Sequence, residues 1–188
     1  QKNRVWIDGD PKSVLIIEFF SSSLKGLDSR IAKCKVMLLS NGAYSAKLIN
    51  KEDASKVWEV RKAGLGLLMG KVGPKKAVAV IEDAAVPVDK LYLYYQEIKS
   101  LMQSYGVDAV YYGHASVGLI HIRPMLDLSK RKDQKIMKSI AKEGSRIVKK
   151  HHGSLSGEHG DGRVRAPFLK EQFGKVVYQY FVDLKYTF

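Results

Sequence analysis

Apolar residues in this chain come in two rhythms: short unbroken runs, and stripes that recur every three to four positions. Val14, Leu15, Ile16, Ile17, Phe19 and Phe20 make a run too short for a helix. A β-strand is expected over 13–20, ended by the serines at 21–23. Between 28 and 39 the spacing becomes helical, with Ile31, Cys34 and Leu38 on one face. Asn41-Gly42 marks a turn, and 44–49 reads as a second strand. Asn50 can cap a helix over 51–68, in which Ala54, Val57, Trp58 and Arg61 share a face. Gly64, Gly66 and Gly70 follow a helix rather than a strand, with the wrong spacing for a dinucleotide fingerprint. They are expected to unwind the helix end into a loop over 71–76.

The second half follows the same logic. A third strand is expected over 77–81, ended by Glu82-Asp83. Asp89 can cap a helix over 90–105, whose stripe is Leu91, Tyr94, Tyr95, Ile98, Leu101 and Met102, and Gly106 stops it. Residues 108–112 and 119–122 flank a short loop and read as an antiparallel pair, with Pro124 ending the pairing on one edge. A long helix over 129–152 sets Ile136, Ile140 and Ile147 on one face, with Gly144 allowing close approach. Lys135, Lys138, Lys142, Arg146 and Lys149 lie opposite. His151 and His152 sit at its C-terminus, where the helix dipole favours positive charge. They read as caps. A short helix from 167 to 173 and a terminal helix over 175–188 close the chain. The order β-α-β-α-β-α-β-β-α has no phosphate loop after any strand, which argues against a parallel doubly wound sheet. An α+β fold with a ferredoxin-like antiparallel sheet is expected.

Composition narrows this. The 188 residues suit one domain, or one domain with a long excursion, and 45% are apolar, enough for a core and too many for disorder. No apolar run approaches the roughly 20 residues of a membrane span. Gln1–Arg4 is polar, so no signal peptide is expected. Cys34 is the single cysteine; it allows no internal disulfide, suits a reducing compartment, and cannot by itself hold an iron–sulfur cluster. The net charge of +13 admits nucleic acid, an acidic membrane surface or an anionic substrate. A solvated surface accounts for it more simply, because the charge is spread along the chain outside one helix.

Two stretches carry candidate chemistry. Ser154-Leu155-Ser156-Gly157-Glu158-His159-Gly160-Asp161-Gly162-Arg163 sets a carboxylate beside an imidazole within a glycine-rich frame. Gly113-His114-Ala115-Ser116-Val117-Gly118-Leu119-Ile120-His121-Ile122-Arg123-Pro124 places one histidine on a turn and another on an apolar strand. Taken singly, His114 can satisfy a turn, His121 can be a buried strand histidine, Glu158 and His159 can form a loop pair, and Arg61 can be a structural ion-pair partner. Jointly they are a costly arrangement for stability alone, because buried polar groups need partners. Two histidines and a glutamate could form a three-ligand metal site with room for substrate, and a histidine can move a proton near neutral pH.

These stretches resemble the C-terminal, substrate-side domain of the FAD-linked oxidases that act on D-lactate, glycolate and D-2-hydroxyglutarate. That family has a G-H-x6-H segment and a later S-G/A-E-H-G segment, in this order. Trp58-Glu59-Val60-Arg61-Lys62 resembles its W-x-x-R segment, and Val80-Ile81-Glu82-Asp83-Ala84-Ala85-Val86-Pro87 its E-D-x-x-V-P strand end. The resemblance implies a divalent metal such as zinc at His114, His121 and Glu158, and His159 as general base. It implies Arg61, with Arg123, at the substrate carboxylate. It further implies that residues 1–188 are the substrate-binding cap domain of a longer flavoenzyme, whose own FAD-binding domain is the main partner and whose substrate is a small 2-hydroxy acid. The isolated chain is then expected to be inactive. Ala115–Gly118 stands where many members have G-D-G, and Arg123 where some have Asn. Both changes resemble the branch whose long chains carry an iron–sulfur domain. A cytoplasmic location is expected, with the full-length form free to sit at the inner-membrane surface. The alternative is a basic ferredoxin-like module for nucleic acid. It lacks the R/K-G-F/Y-G/A-F aromatic pattern such a sheet uses to stack bases.

Overall fold

The computed structural model describes residues 6–188, so the expectation placed on Gln1–Arg4 lies outside the described residues. Contacts divide the chain into two compact units, Gln1–Leu68 and Met69–Phe188.

The first unit carries α1 (Leu24–Ser40) and α2 (Lys51–Met69), whose last residue opens the second unit. Ser23 begins α1 by accepting a hydrogen bond from the Gly26 N–H at 3.1 Å, four residues before the expected start. The strands expected over 13–20 and 44–49 are not formed: both segments run without ladder partners. Leu15 and Phe20 are 63% and 79% exposed. β-branched and aromatic runs fit a pleated, half-buried surface, but the ladder itself has to come from a partner strand. Gly64 and Gly66 stay helical inside α2, against the expected unwinding. A glycine weakens a helix by about 1 kcal/mol without having to end it. Trp58 Nε1 donates to Glu18 Oε1 at 3.3 Å, tying α2 to the extended segment.

The second unit is built on one central strand. β4 (Leu119–Leu126) pairs antiparallel with β3 (Ala109–His114) along one edge. The other edge is shared by β1 (Lys76–Ala77), opposite Leu126 and Met125, and β2 (Ala84–Ala85), opposite Ile120 and Leu119. The strand expected over 77–81 is therefore only two residues of ladder. Val80 N–H bonds back to Val78 O at 3.1 Å, and that tight turn kinks the chain ahead of Glu82 and Asp83. Pro124 does not end the pairing. It lies opposite Ala109 within β4 and accepts from the Val78 N–H at 2.9 Å. The Met125 N–H bonds to Asp108 O on the β3 side, so the proline nitrogen faces the other edge.

α3 (Leu91–Ser104) and α4 (Arg131–Lys150) cover one face of the sheet, and Ser154 returns to bridge Ala85 antiparallel. The sequence β2-α3-β3-β4-α4-Ser154, with spatial order Ser154-β2-β4-β3, is the ferredoxin-like α+β arrangement expected. Its core is Val80, Ile81, Tyr94, Ile98, Met102, Ile122, Ile140 and Val148. A Cβ on Gly144 would meet Ile81 Cγ2 at 3.0 Å, so α4 approaches closely there as expected.

One capping expectation fails and another holds. Asp89 sits in a 3-10 turn and pairs with Lys90, which is itself the N-cap of α3. His151 stands at the C-cap of α4 as expected, buried there with Nε2 3.0 Å from Glu97 Oε1. His152 takes a left-handed φ of 56°. α5 (Gly162–Arg165) and a 3-10 turn lead into α6 (Leu169–Thr187). Gly174, with φ 81°, breaks α6 where the two terminal helices were expected to divide. Among the described residues, no helix is long and apolar enough to cross a membrane.

Candidate active site

The alternation of β4 builds the site. Ile122 turns into the core, so His121 and Arg123 face the opposite side of the sheet. Register sets Tyr112 opposite His121 and His114 opposite Leu119 on that same side. The kinked link between β1 and β2 delivers Glu82 and Asp83 to its edge, and the glycine-rich loop after α4 delivers Glu158 and His159.

The loop is held by main-chain bonds first. Ala85 and Ser154 exchange two bonds, at 3.0 and 2.8 Å, and Gly157 N–H donates to Asp83 O at 2.8 Å. A Cβ on Gly157 would meet Leu119 Cδ1 at 2.6 Å and Ala85 Cβ at 3.2 Å, so a larger residue would have to displace Leu119. The Asp83 side chain then gathers the rest. It is fully buried, with 0% exposure, and accepts from the Glu158 N–H at 3.1 Å and the His159 N–H at 2.9 Å. It also accepts from the Ser156 hydroxyl, and Arg165 Nη2 lies 3.8 Å away. Burial pushes the Asp83 carboxyl up, but the Ser156 hydroxyl, the two N–H donors and the nearby His159 together outweigh it and hold the group below the usual aspartate value. Asp161, in the same loop, is raised instead: burial dominates, Arg165 opposes it, and Asp83 adds to it.

Three expected ligands converge. His114 Nε2 lies 3.4 Å from Glu158 Oε1, and His121 Nε2 lies 3.9 Å from Glu158 Oε2. One donor atom from each of the three residues lies within 4.8 Å of the others. Two ligands of a tetrahedral ion with bonds of about 2.1 Å sit about 3.4 Å apart, so small side-chain rotations would close this set on one cation. The donor chemistry agrees. His121 Nδ1 is 2.5 Å from Glu82 O; a carbonyl only accepts, so Nδ1 carries a proton, and in the neutral ring Nε2 then has the lone pair a metal needs. Asp83, Glu158 and His159 form a second, overlapping donor set.

His159 joins them. Its ring stacks on His121 with centroids 5.7 Å apart and planes within 10°. Nδ1 is 3.1 Å from Glu82 Oε1, and Nε2 is 3.5 Å from Glu158 Oε2. Arg123 is in the same cluster but buried and committed: Nη2 pairs with Glu82 Oε2 at 2.6 Å, and Nε donates to the Tyr112 hydroxyl at 2.9 Å. Arg61 lies on α2 in the first unit, its guanidinium 5.8 Å over the Trp58 ring.

Glu82, Asp83, Tyr112 and Arg165 are the members that sequence reasoning missed. Adjacent acids at the end of a strand were a usable signal for the first two. Tyr112 and Arg165 had none, since only register and loop packing bring them in.

The family profile described as FAD linked oxidases, C-terminal domain, matches residues 1–188. Among curated proteins, the chain is 32% identical over 180 residues to the D-2-hydroxyglutarate dehydrogenase of Escherichia coli (strain K12), covering 92% of this chain and 18% of that one. It is 28% identical over 171 residues to the D-lactate dehydrogenase of Archaeoglobus fulgidus, covering 89% of this chain and 35% of that one. It is 24% identical over 176 residues to the glycolate oxidase subunit GlcD of Bacillus subtilis (strain 168), covering 92% and 36%. The chain thus spans well under half the length of the relatives it matches. Nothing in these matches supports the nucleic-acid reading.

Proposed function

Because the chain belongs to the C-terminal domain family of the FAD linked oxidases, we propose that it forms the substrate side of an FAD-dependent dehydrogenase for a small D-2-hydroxy acid, of the lactate, glycolate or 2-hydroxyglutarate type. The observation that supports this best is the convergence of His114, His121, Glu158 and His159 on one side of the sheet. FAD, which would be held mainly by a partner domain of the longer protein, would supply the hydride acceptor there. A divalent cation such as zinc, held by His114, His121 and Glu158, would act there as a Lewis acid that lowers the pKa of the substrate hydroxyl.

The residues of this chain do the rest. The hydroxyl proton leaves to His159 Nε2 as the hydride leaves C2, and the C2–O bond becomes the carbonyl of a 2-oxo acid. Arg61 would take the substrate carboxylate through two parallel N–H bonds. Arg123, given the same role from the sequence, would share it while paired through Nη2 with Glu82. Cys34 is the only cysteine, so any iron–sulfur cluster belongs to other residues of the protein. The isolated chain is expected neither to hold FAD tightly nor to turn over.

The test compares His159→Asn with His121→Ala in the full-length protein. His159→Asn should lower kcat by about 10²–10⁴-fold, the worth of a positioned base, and retain metal. His121→Ala should lose metal and activity together. Near-normal kcat in His159→Asn, with chemistry rate-limiting, would refute the base; metal loss in it would make His159 a ligand.

A further inference from the structure

We propose that Glu82 is the positioning residue that orients both imidazoles of the site, setting the tautomer of His121 through its main-chain carbonyl and that of His159 through its carboxylate. The inference rests on the reading of His159 as the base, and it concerns what holds that ring.

Glu82 sits at the kink between β1 and β2, with its side chain 11% exposed. It is divided among three partners. Its main-chain oxygen takes the Nδ1 proton of His121. Oε2 takes Arg123 Nη2 at 2.6 Å, and Oε1 lies 3.1 Å from His159 Nδ1. The two histidine rings are consequently stacked almost parallel, each with Nδ1 on Glu82. Their Nε2 atoms approach the same oxygen, Glu158 Oε2, at 3.9 and 3.5 Å.

A neutral imidazole has one N–H and cannot serve two carboxylates at once. His159 therefore chooses between Glu82 at Nδ1 and Glu158 at Nε2. Three facts favour Glu82. Its contact is the shorter, and it is the one with hydrogen-bond geometry. Its side chain is 11% exposed against 39% for Glu158, and an acceptor left unpaired costs more where water cannot replace the donor. Arg123, fixed by the Tyr112 hydroxyl, pairs with Glu82 Oε2 and holds the carboxylate in place with Oε1 toward His159. The proton then stays on Nδ1, and Nε2 presents a bare lone pair beside the ligand set. That is the form a general base requires, and the same form that lets His121 ligate through Nε2.

The test reads tautomers directly. The chain has five histidines, so long-range ¹H–¹⁵N correlation on the ¹⁵N-histidine-labelled protein, in chelator, can report each ring at neutral pH. In the unmodified protein both His121 and His159 should carry Nδ1–H; a His159 protonated on Nε2 alone would overturn the inference. Glu82→Ala would leave Arg123 buried without its partner, so the variant used removes the pair together as Glu82→Leu with Arg123→Met. There His159 should move to Nε2–H, facing Glu158, while His121 keeps Nδ1–H because its acceptor is main chain. Retention of Nδ1–H at His159, or loss of it at both rings, would overturn the inference. Turnover of the same double variant in the FAD-loaded full-length protein separates the two readings. A tenfold or greater fall in kcat supports both, whereas a shifted tautomer with unchanged kcat leaves Glu82 positioning His159 and removes His159 as the base.

Discussion

Replacing Asp83 with Asn should release the loop that carries Glu158 and His159. The side chain is fully buried and receives three donors: Glu158 N–H on Oδ1, with His159 N–H and the Ser156 hydroxyl on Oδ2. An amide offers one acceptor oxygen, so either orientation turns an NH₂ toward a main-chain N–H. The less damaging orientation keeps the Oδ2 pair and leaves the Glu158 N–H only its longer bond to that oxygen, at 3.3 Å. The shorter bond to Oδ1 and the charge of the acceptor are lost, and a bond to a charged acceptor is worth about 1.5–3 kcal/mol. The local loss should therefore be about 1.5–3 kcal/mol, which is about 10- to 150-fold in an opening equilibrium. Amide hydrogen exchange at Glu158 and His159 reads this locally. The pH dependence adds a sign. Asp83 has a folded pKa below its ordinary value, so its contribution is complete above the unfolded carboxylate range. It is lost as pH falls below about 4 and through the folded pKa. Protection of these two amides should fall with acid in the parent protein, and this fall should be absent in Asp83→Asn. Protection unchanged within about 0.5 kcal/mol, the scatter of inert substitutions, would refute the view that Asp83 holds the loop.

Tyr112→Phe removes the acceptor of Arg123 Nε in a buried setting and should cost about 1–3 kcal/mol in denaturant unfolding of the second unit. Gly118→Ala should cost at least as much: Gly118 has φ 71°, and a Cβ would sit inside van der Waals contact of Val86 O. Its effect should appear as a lowered urea midpoint followed by tyrosine fluorescence, because both tryptophans lie in the first unit. Glu97 has its pKa lowered, first by the Lys150 hydrogen bond against the cost of burial and then by His151. Its stabilisation is thus present above the ordinary glutamate range and lost as pH falls through the lowered value. Glu97→Gln should flatten that part of the acid unfolding curve, and an unaltered curve would show that the pairing contributes nothing.

Element identity in the second unit could be read from the chain because its signals are local. The stripes of α3 and α4 follow from residues three and four apart, and the turn between His114 and Leu119 makes β3 and β4 pair with each other. Boundaries moved where a side chain competed for the backbone. Ser129 turned to Asp127 instead of entering α4, and Ser23 took over the start of α1. The first unit was harder. Residues 13–20 have every local feature of a strand and form none, since a strand exists only by the hydrogen bonds of a neighbour.

The sequence alone determined which residue types could do the chemistry. His114, His121, Glu158 and His159 stood out as candidates by residue type and by the resemblance of their two segments to a family's motifs, because a motif preserves the chemistry of its side chains wherever it lies. Tertiary structure alone decided how those groups are held. Glu82 orients two imidazoles and Asp83 carries the loop only because a kink after β1 brings residues 82 and 83 against residues 121 and 156–159. The same folding made Arg123 the partner of Glu82. Hydrogen bonds act over about 3 Å, and no periodicity along the chain can specify a contact between residues some forty to seventy-five positions apart.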